Sequence, residues 1–200
     1  MGRVRAYIGL GANVGDATAT LADAVHALAA VPGLRVHGVS RLYATVPVGV
    51  LDQPDFRNAV VALDVSAASG STPEAAASAL LVTLKELERG FGRQQRYRWG
   101  PREVDLDLLV FGRHAISVLR PVAGRSENPA KASLPLTVPH VEARRRLFVL
   151  APLADLAPGL VPPGWGESVA TAAARQGAIE GDDAARVVAT WDGEGWGPIA

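Results

Sequence analysis

Four β-rich apolar runs, separated by two stretches of helical spacing, limit what this chain can fold into. The runs are residues 3–10 (RVRAYIGL), 34–43, 56–65 (FRNAVVALDV) and 104–111 (VDLDLLVF). Between the first and second, Leu21, Val25, Leu28 and Ala29 recur at helical spacing. Asp16 or Thr18 can cap that stretch, and Pro32-Gly33 stops it. Between the third and fourth, Leu80, Leu81, Leu84 and Leu87 mark a second helix. It starts at Thr72-Pro73-Glu74, with proline at the first helical position, and runs to about Gly90.

The resulting order, βαββαβ, predicts an α+β fold with a ferredoxin-like core, an antiparallel-rich sheet with helices packed on one face. Residues 44–55 contain two prolines, a glycine and two aspartates and read as a loop. Residues 112–135 are poor in pattern and 140–157 look helical. Beyond Gly164 the sequence supports one short helix at 168–176 and a strand at 187–190. The chain of 200 residues fits one domain with an appended tail, and its 48% hydrophobic content suffices for a core.

Several classes of function are excluded by composition. There is no cysteine, so disulfides, thiolate metal sites and thiol catalysis are out. No apolar run approaches the roughly 20 residues of a membrane span, and no signal-peptide pattern opens the sequence; the expectation is a cytoplasmic protein. Twenty basic and twenty acidic residues cancel, unlike the basic excess of a general nucleic-acid binder. Positive charge is nevertheless local. Arg89, Arg93, Arg96, Arg98 and Arg102 fall together with no acid among them, whereas residues 175–200 are acidic. A small polyanion is the expected target.

That arginine segment runs into Asp105 and Asp107, two apart on a strand and therefore on one face. Paired carboxylates are what Mg²⁺ takes from a protein when phosphates and water supply its remaining ligands. Spacing alone leaves an exposed pair of solvated acids equally open. Arg98 and Arg102, fixed around Trp99-Gly100-Pro101, add bidentate phosphate donors and favour phosphate chemistry.

A second constellation, His140 with Arg144, Arg145 and Arg146, could hold a triphosphate, although a solvated basic face is the plainer reading. Phe56, Phe148 and Asn58, with the loop that starts at Thr45, suit a flat heterocycle: rings stack and an amide reads ring donors and acceptors. Phenylalanine in a strand is, however, more often core. Asn13, between two glycines, reads as a turn residue. Gly9, Gly11 and Gly15 lack the spacing of a dinucleotide fingerprint, and there is no Walker A motif.

With these residues in place, the chain resembles the 6-hydroxymethyl-7,8-dihydropterin pyrophosphokinase family. The matching stretches are 7–16 (YIGLGANVGD), 43–63 (with DQPDFRN), 84–112 (with RWGPREVDLD) and 136–158 (with LTVPH), in the family's order. The resemblance implies transfer of a pyrophosphoryl group from the co-substrate ATP to the pterin hydroxymethyl group in folate biosynthesis, with release of AMP. It implies Asp105 and Asp107 as ligands of two Mg²⁺ ions, and Arg93, Arg102 and Asp107 as the catalytic set. Glu88, Arg98, Trp99, Arg102, His140 and Arg146 fall on the ATP site. Thr45, Pro47, Val48, Phe56, Asn58 and Phe148 fall on the pterin pocket. Association with neighbouring folate-pathway enzymes is a further implication; nucleic acid and membrane are not implied.

Relative to the family pattern, the loop between Gly92 and Trp99 is one residue shorter and carries Gln94, Gln95 and Tyr97 at basic positions. Val141 and Pro135 replace a tyrosine and an arginine, and about 120–135 is an insertion. The expected division is a pyrophosphokinase domain over 1–164 and an extension over 165–200. The rival reading is a non-catalytic pterin- or nucleotide-binding protein on the same fold.

Overall fold

The structure is a computed structural model, which describes residues 2–46, 53–92, 103–125 and 133–199. Its centre is β4 (Phe56–Ser66), flanked by β1 (Arg3–Ala12) on one side and by β2 (Leu34–Val39) and β3 (Leu42–Thr45) on the other. β5 (Asp105–Phe111) pairs antiparallel with β1 and forms one border of the sheet. At the other border β8 (Arg186–Trp191) pairs with β3, and β9 (Trp196–Gly197) turns back on β8. All these pairings are antiparallel. A small ribbon of β6 (Ile116–Val118) and β7 (Leu136–Val138) lies apart.

The first two helices form where the sequence predicts them. α1 (Ala17–Ala30) is capped by Asp16, whose Oδ1 accepts from the Ala19 N–H at 3.0 Å. α2 (Pro73–Gly90) is capped by Thr72, whose Oγ1 accepts from the Ala75 N–H at 3.2 Å. Their apolar stripes, among them Leu21, Leu28, Leu80 and Leu84, pack on Ala6, Ile8, Leu10, Val61, Leu63, Leu106 and Phe111.

Helices cover both faces, not one. α3 (Leu147–Leu156) and α4 (Val169–Glu180) lie opposite, burying Leu150, Leu153, Val169 and Ala172 against Tyr7, Val60, Ala62, Leu109 and Val110. The unbroken apolar run of β4 fits this double cover, since a strand buried on both faces loses its alternation. The predicted strand 34–43 is divided at Ser40. There the Ser40 Oγ accepts from the Val60 N–H at 2.9 Å and interrupts the ladder. The predicted helix 140–157 begins instead with a short 3-10 turn at Ala143–Arg145, because Arg146 is extended; α3 starts after it. The 168–176 helix extends to Glu180 and the tail strand runs from Arg186 to Trp191.

Side-chain bonds, two of them from the tail, hold these layers together. The Glu180 carboxylate accepts from the Leu147 N–H at 3.1 Å, placing negative charge at the start of α3. Asp155 of α3 accepts from the Tyr43 hydroxyl at 3.0 Å and from Arg41 Nε at 3.1 Å, which ties α3 to β3. Burial, with the Asp155 charge beside it, pushes the Tyr43 phenol up. Glu167 accepts from Arg144 Nε at 2.7 Å, and this bond holds the Glu167 carboxyl below its ordinary range. The Arg5 guanidinium does the same for Asp64 at 2.8 Å.

A carboxyl whose pKa is lower folded than unfolded adds stability above its ordinary value of about 4, and that stability is lost as pH falls through the range. Glu167→Gln is therefore expected to melt below wild type at pH 7, with the gap narrowing below about pH 4. Melting temperatures of both proteins from pH 3 to 8 check this; a constant gap would refute it.

Candidate active site

β1 carries glycine at positions 9 and 11, and the register places other strands' polar residues against them. Gly11 lies opposite Asp105 of β5 on one side and Asn58 of β4 on the other; Gly9 lies opposite Asp107. Directly paired residues share a face, and side chains two apart along a strand do too. Asp105, Asp107 and Asn58 therefore leave the sheet together on the α3–α4 side, beyond the part that Tyr7, Val60 and Ala62 bury. A Cβ at Gly11 would stand 3.1 Å from Asn58 Oδ1, and one at Gly9 3.3 Å from the Leu109 side chain. The bare strand leaves a shallow floor between the acids and the amide.

Asn58 is buried, and its Nδ2 donates to Thr45 Oγ1 at 2.7 Å. Thr45 is itself opposite Phe56. Thr45, Phe56 and Asn58 are thus brought onto one face, as the sequence reading requires of a heterocycle pocket. Phe148 is in the first turn of α3, half-buried, with the Arg146 guanidinium 5.7 Å from its ring centroid. Pro47 and Val48, assigned with them, lie outside the described residues, as do Arg93, Arg98, Trp99 and Arg102.

Asn13 has a role that the sequence reading missed. It is 3% exposed, and its Nδ2 donates to Gln53 Oε1 at 3.1 Å and to the Pro54 carbonyl at 3.0 Å. It fastens the end of the β3–β4 connection just before Phe56. The buried group is the Asn13 amide, with Gln53 half-buried and Pro54 exposed, so the DQPDF stretch itself carried no signal of this contact.

The basic constellation divides. The His140 N–H donates to the Leu109 carbonyl at 2.8 Å, which sets the histidine beside β5. Arg144 is engaged by Glu167, as is Arg175 at 3.4 Å; Arg145 is exposed. Arg146 reaches Glu142 at 3.6 Å. Of the three arginines, Arg144 serves the fold.

Glu88 is 2% exposed in α2, so it faces the sheet and not open solvent. Its Oε1 accepts from the Leu106 N–H at 2.7 Å and from Lys85 Nζ at 2.7 Å. Lys85 also donates to the Leu106 carbonyl at 3.2 Å.

Among the described residues no three His, Cys, Asp or Glu side chains gather as a metal cage. Two carboxylates i and i+2 on one strand, with oxygen donors only, fit a hard ion that draws its other ligands from phosphate and water. They do not fit a zinc site. No helix among the described residues is long and apolar enough to cross a membrane.

Comparison with known proteins identifies relatives of this chain. The family model described as 7,8-dihydro-6-hydroxymethylpterin-pyrophosphokinase (HPPK) matches residues 7–158. The chain is 42% identical over 171 residues to the 2-amino-4-hydroxy-6-hydroxymethyldihydropteridine pyrophosphokinase of Methylorubrum extorquens, covering 86% of this chain and 92% of that one. To the enzyme of the same name from Pseudomonas aeruginosa it is 38% identical over 80% of this chain and 84% of that one. Among solved structures, a Plasmodium falciparum HPPK-DHPS superimposes with a TM-score of 0.72 at 14% identity, over 99% of this chain and 49% of that one. The chain belongs to the 7,8-dihydro-6-hydroxymethylpterin-pyrophosphokinase family.

Proposed function

We propose that this chain transfers the pyrophosphoryl group of ATP to the hydroxymethyl oxygen of 6-hydroxymethyl-7,8-dihydropterin, giving AMP and the pterin diphosphate in folate biosynthesis. The observation that carries the reading is the pairing of two half-sites across one glycine-bearing strand. Asp105 and Asp107 form one half and Thr45, Phe56 and Asn58 the other. Two strand spacings, about 10 Å, separate the acids from Phe56 and Asn58. A triphosphate laid along β5 can thus present its β-phosphorus to a hydroxymethyl group on a ring held over β4.

Asp105 and Asp107 would hold Mg²⁺, two ions on the family's pattern; bound there, magnesium neutralises triphosphate charge and orients it. The side chains of this chain do the positioning. Asn58 reads the pterin's polar edge, its amide oriented by Thr45, while Phe56 and Phe148 stack on the ring; Pro47 and Val48 complete that wall. Arg93, Arg98, Arg102, His140 and Arg146 take the phosphates, with Trp99 beside the nucleotide. Such transfer needs positioning and charge neutralisation more than covalent help, so no strong base is assigned.

The pyrophosphokinase unit spans 1–164 on this reading, with 165–200 as a brace. A cytoplasmic setting fits the composition. An HPPK-DHPS structure of which this chain covers about half makes association with a second folate-pathway enzyme a natural extension.

The decisive experiment is AMP release from ATP and the hydroxymethyl-dihydropterin with added Mg²⁺. Binding of both ligands without AMP would favour a non-catalytic binding protein instead. Phe148→Ala is expected to weaken pterin binding by about 1–3 kcal/mol and leave nucleotide affinity unchanged, as read by calorimetric titration. An unchanged pterin affinity would place Phe148 outside the pocket.

A further inference from the structure

Lys85 and Glu88 are a buried ion pair, 7% and 2% exposed, on the face of α2 that meets β5. Leu80, Leu81 and Leu84 are buried on the same helix around them. Replacing a buried ion pair by apolar residues of similar volume is often neutral or stabilising. The attraction between the two charges is therefore a weak account of the pair by itself.

Its aim is more informative. β5 borders the sheet, so every second residue turns its N–H and carbonyl away from β1. Leu106 is such a residue, and both of its outward groups are taken. Glu88 accepts its N–H at 2.7 Å and Lys85 donates to its carbonyl at 3.2 Å. The two side chains, joined to each other at 2.7 Å, stand where a neighbouring strand would be. By the antiparallel alternation, Asp105 and Asp107 then turn their own backbone groups to Gly11 and Gly9. The peptide units between the two acids are fixed from both edges.

The paired charges neutralise each other, so the clamp adds no net charge behind the strand that carries the two acids.

We propose that Lys85 and Glu88 are positioning residues, a substitute strand that clamps Leu106 and so fixes the separation and direction of the Asp105 and Asp107 carboxylates for Mg²⁺–nucleotide. This rests on the magnesium reading of the acids given above. It assigns Glu88 an effect on the nucleotide through the β5 backbone.

The test compares wild type with Lys85→Met/Glu88→Leu, which removes the clamp without leaving a buried charge. Lys85→Met/Glu88→Gln retains an acceptor for the Leu106 N–H. Three quantities are read: Mn²⁺ affinity by electron paramagnetic resonance with a non-hydrolysable ATP analogue, pterin affinity by calorimetry, and exchange of the Leu106 amide by NMR. Partners that orient metal ligands are typically worth about 10–100-fold in metal affinity. The apolar variant is expected to lose about tenfold or more in Mn²⁺ affinity, to exchange Leu106 faster and to keep its pterin affinity, and the glutamine variant to recover most of the loss. Mn²⁺ affinity within twofold of wild type in the apolar variant overturns the proposal. So does a parallel loss of metal and pterin binding that follows the melting temperature. Wild-type protein that binds no Mn²⁺ with the analogue would instead refute the magnesium reading itself.

Discussion

Asp107→Asn is expected to lower kcat by about a thousandfold or more, equivalent to about 4 kcal/mol of lost transition-state stabilisation. The melting temperature should hardly change. Asp107 is half-exposed on the polar part of the α3–α4 face, outside both apolar clusters, so asparagine removes no packing. It also relieves repulsion with Asp105, two residues away on the same face. The loss should fall on kcat and on the Mg²⁺ requirement, with pterin affinity preserved, because Asn58 lies two strands away and Thr45 three. Steady-state kinetics at several Mg²⁺ concentrations, with a thermal melt, separate these effects. A variant within tenfold of wild-type kcat would remove Asp107 from the metal site.

Trp196→Ala has the largest effect expected on stability. The indole is 9% exposed and stands edge-on to Trp191, with ring centroids 4.8 Å apart. Its Nε1–H donates to the Ser40 carbonyl at 2.9 Å, at the junction where β2 gives way to β3. Loss of a buried tryptophan costs about 3–5 kcal/mol, or a melting temperature lower by about 10 °C in a chain of this size. Trp196→Phe should cost roughly 1 kcal/mol, mainly the hydrogen bond. Because β8 pairs with Leu42–Ala44 just before Thr45, the alanine variant should also raise KM for the pterin more than KM for ATP. A fall of less than about 2 °C would show the hairpin to be dispensable to the fold.

The elements most legible in the sequence were those with local causes. Asp16 and Thr72 cap helices because their side chains reach N–H groups three residues on, a relation written in the sequence itself. The same holds for Asp105 and Asp107, whose common face follows from strand periodicity. What escaped depends on distant partners. The split at Ser40 arises from a bond to Val60, and the purchase of Asn13 on Gln53 and Pro54 spans about forty residues. α3 and α4 lie on the second face of the sheet because β1, β4 and β5 are apolar there too; a short run such as AVVAL fits one covered face or two. Arg144 belongs in sequence to a basic cluster most simply read as solvated, but Glu167, 23 residues on, engages it. Lys85 and Glu88 carried a faint signal, two charges at i and i+3 within a leucine stripe, which the helical pattern alone does not separate from an exposed pair.

The closing hairpin has a consequence for how the chain is made. Trp196 and Ser40 are 156 residues apart, so the strand that completes the sheet beside β3 emerges long after β3 itself. At about 5–20 residues per second, the delay is roughly 10–30 s. Throughout that interval β3 presents an open row of backbone donors and acceptors, the kind of edge that pairs with other chains. A nascent chain paused short of Arg186 would hold nearly every residue of the proposed site and still have an unfinished sheet.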